Sequence, residues 1–222
     1  MPPLVREQTA ISDQAAAAEH NELRISEQRD ARRQKREWLL DAGQQAYPVC
    51  VARDRTLAEI RAAHGELPAG SASGEMVATA GRVMSQRDIG GILFATLRAG
   101  DGAELQVMLT SARSGGDLMA GWRQVIDIGD IVAVHGEVVT TSRGELTVVA
   151  DKWEMAAKAL RPLPTPRSPL SDEFRVRRRY VDLIVRPEAG AMVRTRSAVL
   201  RSLRESFYGP CSARGSTAPT GS

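Results

Sequence analysis

Between Glu75 and Ala150 the apolar residues recur at alternate positions, in short runs separated by glycine turns, and the alternation breaks once. Residues 76–84, 92–98 and 105–110 read as strands, punctuated by Gly90-Gly91 and Gly100-Asp101-Gly102. Over residues 117–126 the period changes, and Leu118, Met119, Trp122, Val125 and Ile126 fall at helical spacing. Alternation returns at 131–139 and 145–150, after Ile128-Gly129-Asp130 and on either side of Ser142-Arg143-Gly144. A strand that alternates has one face to bury. Five of them must therefore close on themselves or pack against another layer.

Three strands, a helix and two strands is the order of the five-stranded OB barrel, whose open face holds oligonucleotides. Another small antiparallel barrel or a sandwich shares the alternation, and the helix between the third and fourth strands favours the OB order. The expected fold is an all-β OB-fold barrel over residues 75–160, preceded by a helical extension at 21–74.

The flanks read differently. Residues 1–20 are polar and alanine-rich and are expected to be disordered. Residues 21–43 form a helix, with Asn21 as cap and Gly43 as stop before Tyr47-Pro48. Arg29, Arg32, Arg33 and Arg36 fall at i, i+3, i+4 and i+7 and so form one stripe. Residues 24–36 hold six basic and two acidic side chains. The stripe alone fits a solvated charged face better than a rail for a phosphate backbone. Residues 56–63 make a short helix capped by Thr56, and 65–74 a Gly/Pro/Ser-rich loop. Pro162, Pro164, Pro166 and Pro169 mark 161–170 as a stiff hinge. Residues 171–208 are basic and amphipathic, whereas 209–222 have no apolar period and are expected to be disordered.

Charge does not by itself indicate a partner. The formal net charge is +3, distributed as −4 over residues 1–160 and +7 over 161–222. A nucleic-acid site therefore needs a local patch. No run of apolar residues is long enough for a membrane helix, and the N-terminus lacks the pattern of a secretory signal. Cys50 and Cys211 read as free thiols of a cytoplasmic protein. His20, His64 and His135 have no metal-ligand spacing, His135 reads as structural, and no phosphate-binding glycine loop or nucleophile elbow is present. No catalytic, cofactor or metal residues are assigned.

What remains is a base-binding face. Unpaired bases are held by aromatic stacking and by polar side chains that reach their edges. Phe94 is the one aromatic in the predicted strands and fits either a stacking platform or a core position. Gln106 and Glu145 can read base edges or can be ordinary exposed strand residues. Arg82 can pair with phosphate or base.

Several segments resemble the lysyl-tRNA synthetase family of class II aminoacyl-tRNA synthetases. In the barrel they are Ala80-Gly-Arg-Val-Met84, Phe94-Ala-Thr-Leu97, Gly102-Ala-Glu-Leu-Gln106, Asp127-Ile-Gly-Asp130, His135-Gly136 and Arg143-Gly-Glu-Leu146. Lys158-Ala-Leu-Arg-Pro-Leu-Pro164 is similar to that family's interdomain hinge, and Arg177-Arg-Arg-Tyr-Val-Asp-Leu183 to the entry of its catalytic domain. The barrel alone also fits aspartyl and asparaginyl relatives. The resemblance implies a partner, the anticodon stem-loop of tRNA(Lys). Phe94 would stack an anticodon base, Gln106 and Glu145 would read the central uridine region, and Arg82 would support them. Arg29, Arg32, Arg33 and Arg36 would lie along the stem, which reverses the preference for a merely solvated stripe.

The resemblance also implies what to look for beyond the barrel. The family uses ATP and Mg²⁺ to attach lysine to tRNA and works as a homodimer. The long helix of its dimer motif is matched, with Met192, Val193, Val199, Leu200, Leu203 and Phe207 on one side. The strand that follows in the family is replaced by the 209–222 tail, and Gly91 stands where the family has a lysine. Adenylation requires arginines and Mg²⁺ positioned on phosphates. The expectation is thus a tRNA-binding module with a fragment of a class II α+β catalytic domain over 171–208, inactive alone, cofactor-free and lacking most of the dimer interface. Two readings compete. One is a full ligase whose catalytic part is lost to a frameshift near residue 208, and the other is a remnant without function.

Overall fold

The computed structural model describes residues 23–164 and 170–208. The expectations for 1–20, for the middle of the proline-rich hinge and for the 209–222 tail lie outside the described residues. The chain divides into two compact units, Met1–Pro164 and Thr165–Ser222. The division falls within the proline-rich stretch.

In the first unit, helix α1 (residues 23–41) is followed by α2 (Leu57–His64). Helix α2 starts where a capping box permits it. The Thr56 hydroxyl accepts from the Glu59 amide and the Glu59 carboxylate accepts from the Thr56 amide. Five strands come next: β1 (Ala72–Ile89), β2 (Ile92–Arg98), β3 (Glu104–Thr110), β4 (Ile131–Thr140) and β5 (Leu146–Ala157). Between β3 and β4 lie α3 (Ser111–Ser114) and α4 (Gly116–Val125), divided at Gly115, whose φ of 76° breaks the helix. The strands close into a barrel in the order β1-β2-β3-β5-β4. All neighbours run antiparallel except β3 and β5, whose parallel pairing sets Gln106 opposite Thr147.

Strand β1 is long enough to serve both edges. Residues Met76–Arg82 pair with β4, and Arg82–Ile89 pair with β2 across a bulge between Val83 and Ser85. The Gly90-Gly91 turn joins β1 to β2, with Gly90 at φ 64°. At Gly136 a β-carbon would lie 2.1 Å from the Val149 carbonyl oxygen, beside the bulge that sets β4 against β5. Only glycine lets the two backbones approach there.

The inner faces supply Val77, Val83, Leu93, Ala95, Leu97, Leu105, Val107, Leu109, Val132, Val134, Val138, Val148 and Met155, all buried. Burying one such aliphatic side chain contributes roughly 1.5–3 kcal/mol. Met119, Trp122 and Val125 of α4 join the same core. Trp122 meets Trp153 edge-on, with centroids 5.6 Å apart, and the Trp122 indole N–H donates to Gln86 Oε1 at 3.2 Å. Leu57 and Ile60 of α2 are buried as well, and Leu57 would touch any side chain placed at Gly81.

The second unit, in its described part, is helical: α5 (Asp172–Arg177), α6 (Arg179–Val185) and α7 (Pro187–Tyr208). Its polar centre is Asp182, fully buried, which accepts from Arg179 Nη1 at 2.6 Å and Arg186 Nη1 at 3.1 Å. The Arg-Tyr-Val-Asp-Leu run thus encloses a carboxylate whose guanidinium partners come from its own neighbourhood. Met192, Leu203 and Phe207 of α7 are exposed. Among the described residues no helix is long and apolar enough to cross a membrane.

Candidate nucleic-acid interface

Alternation fixes which side chains of β2 and β3 face outward. Leu93, Ala95, Leu97, Leu105, Val107 and Leu109 fill the core, so Phe94, Thr96, Arg98, Glu104, Gln106 and Met108 lie on the outer face, half-buried among one another. Phe94 therefore lies outside the core, on the outer face, one of the two positions that the sequence leaves open. The register sorts this face into rows. Arg87, Phe94 and Met108 form one row across β1, β2 and β3. Ser85, Thr96 and Gln106 form the next, continued by Thr147 on β5. Arg82, Arg98 and Glu104 form a third.

The middle row carries a side-chain hydrogen bond at each end. Ser85 Oγ donates to Thr96 Oγ1 at 3.0 Å, and Thr147 Oγ1 donates to Gln106 Oε1 at 2.8 Å. The Thr147 hydroxyl also lies 3.0 Å from the Glu145 carbonyl oxygen. The Thr147 hydroxyl has one hydrogen for these two acceptors, and the Gln106 amide keeps both donor and acceptor capacity for a ligand. Glu145 is exposed in the turn before β5. Its carboxylate lies 3.6 Å from Arg61 Nη2 of α2. Phe94 and Gln106 share the outer face of β2 and β3, with Arg87 and Met108 in register with Phe94, while Glu145 meets Arg61 in the turn before β5; sequence reasoning did not single out Arg87, Met108 or Arg61.

Arg82 occupies the far row, half-buried, with one of its donors used within the fold. Its Nη1 donates to the Gly129 carbonyl at 2.6 Å. Burial pushes its pKa down, and the nearby Asp130 carboxylate opposes that shift. Through that contact it supports the loop before β4.

The arginine stripe on α1 divides in the same way. Arg29 and Arg36 are half-exposed and Arg33 is exposed, 3.6 Å from Asp30. Arg36 lies over the Tyr47 ring at 5.9 Å. Arg32 corrects the sequence expectation. It is buried, and its guanidinium donates to the carbonyls of Ile128 at 2.9 Å and Ala159 at 3.0 Å. It ties α1 to the barrel and does not face a phosphate.

That tie belongs to a buried cluster around residues 127–130. Lys158, fully buried, donates to the Val125 carbonyl (2.7 Å), Asp127 Oδ2 (2.6 Å) and Asp130 Oδ2 (2.7 Å). Lys35 of α1 reaches Asp127 Oδ1 at 2.6 Å. The Ala159 amide donates to Asp130 Oδ1 at 2.7 Å. Burial pushes the Asp127 carboxyl up, but Lys158 and Lys35 outweigh it, and the net shift is below the usual carboxylate range. All three ammonium hydrogens of Lys158 have acceptors, which is what a buried cation requires.

A closed five-stranded barrel of this order, with an aromatic and hydrogen-bonding outer face, defines the class of the first unit. Residues 77–156 match the tRNA anti-codon family, an OB-fold nucleic acid binding domain. Over about four fifths of its length the chain is similar to lysine–tRNA ligases. It is 52% identical over 180 residues to Lysine–tRNA ligase 1 of Mycobacterium tuberculosis, covering 81% of this chain and 36% of that protein. It is 50% identical over 183 residues to the Lysine–tRNA ligase of Kineococcus radiotolerans, with 82% and 37% covered. Over 192 residues it is 38% identical to the lysylphosphatidylglycerol biosynthesis bifunctional protein LysX of Mycobacterium avium, of which it covers 16%. The chain therefore spans a little over a third of the ligases it matches.

Proposed function

We propose that the outer face of β1, β2 and β3 binds the unpaired loop of an RNA hairpin, the anticodon stem-loop of tRNA(Lys), in the cytoplasm. The observation that carries this reading is the outward position of Phe94 on the face that also bears Gln106. An aromatic ring on a sheet surface can stack a base, and amide and carboxylate side chains such as those of Gln106 and Glu145 can read a base's edge. Arg29, Arg33, Arg36, Arg82 and Arg87 are basic side chains proposed to support contacts with the RNA. The proposal is one of binding. The ligation in the relatives' names belongs to proteins of which this chain spans only part, and these 222 residues are proposed to bind without ligating.

Titration of the chain with a hairpin carrying a UUU loop, and with the same stem carrying a scrambled loop, tests the reading. The UUU hairpin is expected to bind more tightly. Both affinities are expected to fall as salt rises, by roughly 0.7 log units per log unit of salt for each single-strand phosphate contact. Equal affinity for the two loops would contradict the proposal.

A further inference from the structure

We propose that Arg123 of α4 is a positioning residue for RNA binding, which with Asp88 clamps the β1–β2 hairpin and so keeps Arg87 beside Phe94; the inference rests on the binding face described above. Beyond Arg82 the β1 strand no longer has β4 as a neighbour and, among the described residues, pairs only with β2. Residues Ser85 to Ile89 are exposed. A two-stranded ribbon holds its position poorly by itself. A further contact must fix this hairpin if Arg87 is to be in place before RNA arrives.

The pleat decides where that contact is made. Gln86 and Asp88 stand opposite Ala95 and Leu93, which belong to the core, whereas Arg87 stands opposite Phe94 on the outer face. The inward pair meets α4. Trp122, fully buried, donates its indole N–H to Gln86 Oε1 at 3.2 Å. Arg123, the next residue, grips Asp88 through Nε to Oδ2 at 2.5 Å and Nη2 to Oδ1 at 2.9 Å, and its Nη2 also donates to the Gly90 carbonyl in the turn. Such a paired contact between guanidinium and carboxylate fixes direction as well as distance. Hydrogen bonding holds the Asp88 carboxyl below its ordinary range and raises the guanidinium, so both stay charged at neutral pH. The anchor itself is set, because Met119, Trp122 and Val125 of α4 are buried. Contacts on the inner side of the hairpin thereby direct Arg87 to the outer one.

The test uses the full chain and the UUU hairpin. Asp88→Asn removes a negative charge and Arg123→Met a positive one. Both side chains lie outside the core, so neither change disturbs it. Simple attraction to a polyanion predicts tighter binding for the first and weaker binding for the second. The clamp predicts that both weaken binding, each by about threefold to tenfold, because apparent affinity falls with the fraction of molecules whose hairpin is in place. Arg123→Lys should recover part of the loss. In an Arg87→Met background Arg123→Met should cost little more, since it acts through Arg87. Tighter binding by Asp88→Asn would overturn the proposal, as would unchanged affinity in both single variants or full additivity of Arg123→Met with Arg87→Met. A lowered melting midpoint that accounts for the loss would make the pair structural and also overturn it. If wild type binds the UUU and scrambled hairpins equally, the binding-face reading has failed and this inference with it, so the two failures are distinguished.

Discussion

Replacing Lys158 with methionine is expected to destabilise the first unit by about 3–5 kcal/mol, the usual consequence of stranding one side of a buried ion pair. The ammonium is fully buried and binds two carboxylates and a carbonyl. Methionine fills the volume of the stem but leaves Asp127 and Asp130 without their shared cation. For a unit of this size the melting midpoint should fall by roughly 10 °C or more. All three tryptophans, Trp38, Trp122 and Trp153, lie in this unit, so their fluorescence during thermal or urea denaturation reports on it directly. Pairing the change with Asp130→Asn should recover part of the loss, because the two residues are coupled and their effects are not additive. If Lys158→Met melts like wild type, the cluster is not what holds the loop, the β5 end and α1 together. The same cluster sets a pH dependence. The Asp127 carboxyl titrates below its ordinary value in the fold, so its contribution is fully present above about pH 4 and is lost as pH falls through the depressed value. Wild type should lose stability across that acid window, and Lys158→Met should lose less.

The second large effect concerns binding. Phe94→Ala is expected to weaken binding of the UUU hairpin by about 1–3 kcal/mol, roughly five- to 150-fold, the range for removing one base-stacking ring. The ring sits outside the core, between Arg87 and Met108, so the barrel should melt close to wild type. Phe94→Trp should keep most of the affinity, since stacking needs a π face and not a particular ring. Unchanged affinity for Phe94→Ala, with the fold intact, would remove the platform from the account.

Much of this was legible in the chain because alternation is a local signal. The strand count, the intervening helix and the turn glycines follow from it, and the barrel order follows from their sequence. The ends were not legible. Residues 151–157 continue β5, but the bulge between His135 and Gly136 shifts the pairing, and Asp-Lys-Trp-Glu breaks the apolar pattern that would have marked a strand. The start of β1 at Ala72 was hidden in a stretch that reads as loop. At the site, periodicity could not decide whether Phe94 points in or out, because its neighbours suit both faces; pairing with Met108 and Arg87 decides it. The arginine stripe gave no sign that Arg32 differs from Arg33. Arg32 is buried against carbonyl groups, and backbone acceptors leave no trace in side-chain pattern. Lys158 was recognisable only as part of a hinge. A better signal was available, since lysine occurs only at 35, 152 and 158, and two of the three converge on Asp127. Arg61 meets Glu145 only through the docking of α2, which no local pattern encodes.

The central claim is that RNA docks on the face bearing Phe94, Gln106 and Met108. The most direct measurement is an NMR titration of the chain with the UUU hairpin, following the Met108 methyl, the Phe94 ring and the Gln106 side-chain amide, with His135 and Lys152 on the opposite side of the barrel as the reference. The account predicts that shifts concentrate on the first three and leave His135 and Lys152 unmoved. Shifts confined to the His135 and Lys152 side, with Met108 and Phe94 silent at saturation, would contradict it.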